Sequence, residues 1–280
     1  MLEVQPILMK GRTFIITLVT ASIILGCGKE EAQTPVASGG PGAKPTQGQT
    51  AGFQELKIED LQPGKGEGAK KGDMLTMLYL GKLTNGTVFD GNMDDAGKPI
   101  PGKPPFSLNL GMGMVIPGWD KGLVGVKVGG LRKLSIPSEL GYGAQGSGST
   151  IPPNSDLIFT VKCLDIVKAG EELVIDTTDL RPGSGPAVKP GDKITVHYVG
   201  KLLNGTQFDS SRDRKQTLPF TVGKGEVVPG FDKGVIGMRK GGLRKLRIPP
   251  QAAYGAAPNG QIPANSVLTF EVELVTINGK

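Results

Sequence analysis

One histidine and two cysteines are the whole supply of imidazole and thiol chemistry in 280 residues. His197 alone cannot build a histidine metal cluster, nor can it serve two separate sites. Cys163 lies in the alternating run Leu157–Val167, a predicted strand, and is expected in a core. Cys27 stands at the end of an apolar run and before a polar stretch. Two cysteines of such different character make neither a disulfide framework nor a metal site. What the chain offers instead is one long sentence written twice. Pro63–Asp90, PGKGEGAKKGDMLTMLYLGKLTNGTVFD, is answered by Pro182–Asp209, PGSGPAVKPGDKITVHYVGKLLNGTQFD. GMGMVIPGWDKGLVGVKVGGLRKLSIP from Gly111 is answered by GKGEVVPGFDKGVIGMRKGGLRKLRIP from Gly223. A period above ~100 residues is far longer than the 20–50 of a solenoid unit. Each copy is therefore expected to be a whole domain with its own core.

The elements that must position these residues follow from composition and pattern. The chain holds 44 Gly and 22 Pro with aromatics at only 5%, which favours a turn-rich β architecture over a helical bundle. Met74–Leu83 and Lys193–Leu202 are β-rich, and Asn85-Gly86 and Asn204-Gly205 follow them closely. Asn-Gly in that place predicts type I′ hairpins, with positive φ at both central residues. Leu131–Pro137 and Leu243–Pro249 read as short strands, and Leu157–Val167 and Val267–Ile277 as long closing ones. One short helix is predicted per copy, over Gly118–Val126 and Gly230–Met238, each opened by Pro-Gly. The fold class is α+β: an antiparallel sheet curled around one short helix, twice.

The formal net charge of +6 is modest, and its cations alternate with Gly and aliphatics, as in GGLRKLRIP. That reads as a solvated face, with no nucleic-acid partner expected. At the other end of the chain, Lys10 and Arg12 precede the apolar run Phe14–Leu25, which is too short to span a bilayer comfortably. A positive flank, a short apolar centre and small residues after it make an export signal. Ile24-Leu25-Gly26-Cys27 resembles the bacterial lipoprotein signal, cut before a cysteine that then carries lipid. Met1–Leu8 add nothing to such a signal, so Met9 is an alternative start. The expected organisation is a signal peptide over 1–26, a flexible tether over 27–52 too poor in large apolar residues to fold, and domains over 53–168 and 169–280. Lipid at Cys27 implies anchoring to a membrane of the bacterial envelope, facing the periplasm or the exterior.

Five linked motifs now occur twice, in the same order: Tyr-x-Gly-x-Leu, Asn-Gly-x-x-Phe-Asp, Val-[Ile/Val]-Pro-Gly-[Trp/Phe]-Asp, Tyr-Gly-Ala and Ile-Pro-[Pro/Ala]-Asn-Ser. With them the chain resembles the FKBP-type peptidyl-prolyl cis-trans isomerases over nearly all of both domains. The resemblance implies two FKBP-like domains and a catalytic pocket formed in domain one by Tyr79, Phe89, Asp90, Trp119, Tyr142 and Phe159. Phe106, Val115, Ile116 and Ile151 complete its substrate-binding wall. In domain two the same positions are Tyr198, Phe208, Asp209, Phe231, Tyr254 and Phe270, with Leu218, Val227, Val228 and Ile262. Domain two departs from the family at Leu218, where a Phe is usual, and at Phe231, where Trp usually forms the floor. Domain one departs by its longer loop, Gly91–Pro105, against Ser210–Thr217. The implied partners are proline-containing unfolded or exported polypeptides, and the family's macrolide inhibitors.

The physical chemistry fits that reading. Rotation about an Xaa-Pro bond meets a barrier of roughly 18–20 kcal/mol because it breaks amide resonance. The twisted amide is less polar than the planar one, so a dry aromatic pocket favours it relative to water. No cofactor, metal, nucleophile or proton relay is required. Trp119 is suited to be the floor for the proline ring. Tyr142 and Tyr254 are suited to donate to the peptide carbonyl, and Asp90 and Asp209 to orient the hydroxyls of Tyr79 and Tyr198. Taken singly, each Phe or Ile has a plain reading as a core residue, and each Asp as a strand-end turn residue. Two other functions stay open: a module that holds proline-containing segments with little turnover, above all in domain two, and a holdase chaperone for unfolded chains.

Overall fold

A computed structural model describes residues 52–280 of the chain. The expected signal over 1–26, Cys27 and all but the last residue of the tether lie outside the described residues. In the first half, β1 (Lys57–Gln62), β2 (Met74–Leu83), β3 (Val88–Gly91), β4 (Phe106–Asn109), α1 (Pro117–Gly122), β5 (Leu131–Ile136) and β6 (Leu157–Val167) follow in order. They form one antiparallel sheet, β1-β5-β6-β2-β3, with β4 pairing the other half of the β2 edge. The second half repeats this with β7 (Asp176–Arg181), β8 (Ser184–Ala187), β9 (Lys193–Leu202), β10 (Gln207–Ser210), β11 (Leu218–Thr221), α2 (Pro229–Gly234), β12 (Arg239–Lys240), β13 (Leu243–Ile248) and β14 (Leu268–Ile277). Its main sheet runs β7-β13-β14-β9-β10, with β11 on β9, and β8 pairs β12 separately.

The strand patterns say which face each sheet buries. β6 alternates buried and half-buried along its whole length, and turns Leu157, Phe159, Val161 and Cys163 into the core under α1. Burial pushes the Cys163 thiol up to about 12, so it packs as a small apolar group. β9 alternates in the same way, but β2 is buried on both faces. Met74 is covered by Val267 and Leu203 of domain two, and Leu78 and Leu80 by the longer loop of domain one. Met93 leaves that loop to cover Leu78 and Leu80 on the outer face of β2, and is itself fully buried. Asn92 fastens the loop root: its Oδ1 accepts the Tyr79 amide at 2.7 Å and its Nδ2 donates to the Pro104 carbonyl at 3.0 Å. The sequence leads one to expect this loop beside the pocket, where it could gate or widen substrate choice, at little cost for its length. In the structure it is, through Met93, also part of the core.

Two local expectations change. At the hairpin of domain one only Gly86 has positive φ, at +88°, and Asn85 does not. Gly86 N–H donates to the Leu83 carbonyl, and Leu83 N–H to Thr87, both at 2.9 Å. This is a turn followed by a left-handed glycine, not a type I′ turn, and domain two repeats it at Gly205. Asn85 serves through its side chain, whose Oδ1 accepts the Thr87 amide at 2.9 Å. The helices are also shorter than predicted: Pro117–Gly122 and Pro229–Gly234 replace Gly118–Val126 and Gly230–Met238. Arg132 ends α1 by donating to the carbonyls of Gly122 and Val124 at 2.9 and 2.8 Å, while its other nitrogens clasp Asp60 on β1. Arg244 does the same for α2 with Asp179. An arginine fork thus satisfies helix-end carbonyls that a longer helix would have bonded itself.

Candidate functional site

The β2 strand, the start of β4, α1 and the loop before β6 converge on one cavity of about 650 Å³ in domain one. All of the domain-one residues assigned by resemblance line it: Tyr79, Phe89, Asp90, Phe106, Val115, Ile116, Trp119, Tyr142, Ile151 and Phe159. Their rings meet edge to face. Trp119 lies 5.2 Å from Phe159, 5.5 Å from Tyr79 and 6.0 Å from Phe106, and Phe89 lies 5.4 Å from Phe159. Such pairs contribute about 0.5–1.5 kcal/mol each beyond area burial, so the box is stiff before anything enters it. Gly81 explains part of the repeated Tyr-x-Gly: a Cβ there would come within 2.6 Å of the Phe89 ring and 2.8 Å of Phe159. Trp119 is buried at the bottom, and its Nε1 has no hydrogen-bond partner among the described residues.

The polar atoms sit at the rim. The Tyr79 hydroxyl donates to Asp90 Oδ2 at 2.6 Å, and Asp90 Oδ1 accepts the Gly91 amide at 2.8 Å. Burial, then the Asp90 carboxylate, pushes the Tyr79 phenol up from its ordinary value. Burial also raises Tyr142, with a further contribution from the Asp90 charge. Both phenols therefore stay protonated and able to donate near neutrality. The cavity has no charged floor, and one carboxylate at its edge.

Domain two builds the same box with altered parts. Tyr198, Val227, Phe231, Ile262 and Phe270 share one core cluster, and Phe208, Leu218, Val228 and Tyr254 pack against it. Phe231 keeps the ring spacing of Trp119, at 5.2 Å from Phe270 and 5.8 Å from Tyr198. It is the smaller ring, but Phe220 stands 5.9 Å behind it, where domain one has Leu108. Trp over Leu and Phe over Phe fill similar volumes, so the expected smaller floor is backed from below. Asp209 again accepts the tyrosine hydroxyl, here from Tyr198. Unlike Asp90 it is also ion-paired, to Arg214, whose Nη2 donates to the Tyr198 hydroxyl at 2.7 Å. The guanidinium lies 5.7 Å from the Tyr198 ring centre, and Tyr198 is only 1% exposed.

Several residues of this geometry are not singled out by the sequence reading. Arg214 is one; its signal is the Arg-Asp-Arg that follows Asp209 and has no counterpart after Asp90. Gly113, Met114, Ser147 and Thr150 also line the cavity of domain one. Met114 is 59% exposed there and Met112, two residues before it, is 62% exposed, and the matching run of domain two has Lys224 and Glu226. Asp120 holds the rim in place by accepting the amides of Gly111 and Gly113, both at 2.9 Å. Asp232 does so for Gly223 in domain two, which gives the Asp of the repeated Pro-Gly-[Trp/Phe]-Asp a positioning role.

Residues 65–164 and 185–275 each match the family model described as FKBP-type peptidyl-prolyl cis-trans isomerase. The chain is 36% identical over 203 residues to bovine peptidyl-prolyl cis-trans isomerase FKBP9, covering 72% of this chain and 34% of that protein. It is 35% identical over 224 residues to human peptidyl-prolyl cis-trans isomerase FKBP10, covering 79% and 37%. The chain thus spans little more than a third of the length of these relatives. It is 50% identical over 111 residues to the FK506-binding protein of Neisseria meningitidis, which is 40% of this chain and 95% of that protein. Among solved structures, FkpA from Escherichia coli matches with 40% identity and a TM-score of 0.35, covering 37% of this chain and 47% of that one.

Proposed function

The chain belongs to the FKBP-type peptidyl-prolyl cis-trans isomerase family, and from that premise we propose that it rotates Xaa-Pro bonds of unfolded polypeptides, chiefly in domain one. The observation that carries this is the aromatic box of about 650 Å³ with no charge on its floor. A proline ring packed on Trp119 leaves its preceding amide against Tyr79, Phe89 and Phe159. There the planar amide loses its water and the twisted form, which needs less of it, is favoured. Tyr142, held protonated, donates to a substrate carbonyl at the rim. Asp90 fixes the Tyr79 hydroxyl and takes no proton in the reaction. Each 1.36 kcal/mol of preference for the twisted state contributes about tenfold in rate. A protease-coupled assay with a proline tetrapeptide tests it: turnover is expected, and Tyr142→Phe with Trp119→Ala should remove most of it. An undiminished rate in that double variant would overturn the assignment of the site.

Domain two supports a second reading, as a holder of proline-containing segments with less turnover. The observation that favours it is Arg214, which neutralises Asp209 and covers Tyr198. The Neisseria relative is called an FK506-binding protein, and a macrolide of that kind should compete with peptide for domain one. We also propose that Cys27 is the lipidated mature N-terminus of an envelope protein, a reading supported by the Lys10–Cys27 signal pattern. Cys27→Ser should release the protein from membranes, and mass spectrometry showing an unmodified Cys27 within a longer mature chain would refute it.

A further inference from the structure

A second cavity, of about 490 Å³, adjoins the box of domain one and shares Tyr79, Asp90 and Phe106 with it. Its near wall is the end of the long loop, Lys103–Pro105, and its far wall is Pro263 and Ala264 of domain two. Domain two is held in that position by named contacts. Arg247 on β13 clasps Asp165 on β6, with Nε donating at 2.9 Å. Asn204 donates to the Lys103 carbonyl at 3.2 Å. Met74 and Val167 of one domain pack with Val267 and Leu203 of the other. Lys103 spends its ammonium on the Gly91 carbonyl at 2.7 Å. The groove thus presents proline, alanine and aromatic carbon, interrupted by the polar side chains of Asn92, Ser107 and Asn265, with Asp90 at the junction.

We propose that this groove is a subsite for the stretch of unfolded polypeptide that flanks the rotating proline, so that domain two builds part of domain one's substrate site. The occupant follows from continuity. A chain whose proline lies on Trp119 has to leave the box over its rim, and the rim at Tyr79, Asp90 and Phe106 is already the wall of the groove. The volume lies within the range of sites that bind drug-sized ligands. Apolar walls suit an extended chain that lays a side chain on Pro105, Phe106 and Pro263. The substrate class selected is therefore a long, unfolded polypeptide over a short peptide. This inference rests on the isomerase reading of the box and adds a length dependence to it.

Trp119 is the single tryptophan of the chain, so its fluorescence reports on domain one alone. The full chain would be titrated with the tetrapeptide Ala-Leu-Pro-Phe and with a peptide of about twelve residues carrying the same core. At about 3.3 Å per residue the longer one leaves the box on both sides. It should bind roughly tenfold tighter, since burying an apolar side chain outweighs the cost of ordering it. Ala264→Arg, which fills the far wall, should remove that advantage and leave tetrapeptide affinity unchanged. Pro104→Arg on the opposite wall should do the same, so the test survives misfolding of either variant. If the two peptides bind equally, or if both variants keep the full preference for the longer one, the groove is not a subsite. A tetrapeptide that leaves Trp119 unperturbed at saturating concentration would instead sink the isomerase reading, and the groove with it.

Discussion

The paired exchange of Trp119 and Leu108 in one domain for Phe231 and Phe220 in the other predicts strong coupling between the two positions. Leu108 and Trp119 are both buried in the core of domain one, whereas Phe220 and Phe231 touch edge to face at 5.9 Å. Trp119→Phe removes roughly 50 Å² of buried apolar surface, about 1.3 kcal/mol, and leaves a void beneath the ring. It also removes a buried indole N–H with no partner, which costs about 1–3 kcal/mol where it stands. These two terms leave the single variant between about 0.3 kcal/mol less stable and about 1.7 kcal/mol more stable. Leu108→Phe alone pushes a ring against an indole that already fills the space, and should destabilise by about 1–3 kcal/mol. With both changes the new ring at position 108 occupies the void left by the indole, as Phe220 does beneath Phe231.

The double variant should be more stable than the sum of the singles by about 1–2 kcal/mol. Urea denaturation followed by circular dichroism measures this without the lost tryptophan. Turnover would be followed in the same proteins: a loss of about 0.8 kcal/mol of contact with the proline ring is roughly a fourfold fall in kcat/KM for both variants that carry Trp119→Phe. Additivity within about 0.3 kcal/mol would show that the two positions do not share one volume. A fall beyond about a hundredfold would mean that the indole N–H bonds the substrate, and the apolar floor would be the wrong account. An unchanged rate would remove Trp119, and domain one with it, from the leading role.

Met93→Ala should destabilise the protein by about 2–4 kcal/mol, because it uncovers Leu78 and Leu80; a loss under about 0.5 kcal/mol in urea would make the loop a true appendage. Turnover should vary less than about twofold between about pH 6 and pH 9, since burial holds the phenols of Tyr79 and Tyr142 protonated through that window; a bell-shaped profile would reveal a proton transfer that the proposed mechanism lacks. Asp60 and Asp179 are each held below the ordinary 3.8 by the hydrogen bonds of Arg132 and Arg244. Their contribution is present above about pH 4 and lost as pH falls through the depressed values. Asp60→Asn with Asp179→Asn should therefore lower stability at pH 7 and flatten its acid dependence, and an acid limb of unchanged slope would assign that dependence to other carboxylates.

The aromatic residues of the pocket were legible because they are large, rare and repeated, whereas Gly113, Met114, Ser147 and Thr150, which also line it, carry no such mark. In a chain this poor in aromatics, a Tyr, a Phe-Asp, a Trp or Phe and another Tyr in the same order twice leave little freedom in what they build. Less legible are residues that act on those side chains from behind. Gly81 matters through the ring atoms its missing Cβ admits, which no local pattern declares. Asp120 looks like a first-turn acid of a helix, and its use on the Gly111 and Gly113 amides depends on where the preceding loop returns. Arg132 sits in an alternating strand like any solvated cation, yet is 6% exposed because it faces a helix end. Met93 is the clearest case. Its surroundings, GNMDDAGKP, read as a solvent loop, and only the double-sided burial of β2 shows why an apolar residue stands there.

The two copies therefore differ least where the aromatic box is built and most at its edge. Domain one leaves Asp90 unpaired by any cation among the described residues, has the exposed Met114 in the wall of the same cavity with Met112 two residues before it, and opens toward a groove shared with its neighbour. Domain two closes Asp209 under Arg214 and has Lys224 and Glu226 where the methionines stand. A duplicated box with the same edge would give two equal sites. A flexible, polarizable methionine rim adapts to many apolar side chains, while a guanidinium held by a carboxylate and a phenol is fixed and selective. Under the proposed function, this contrast predicts that domain one accepts a wider range of side chains flanking the proline than domain two does.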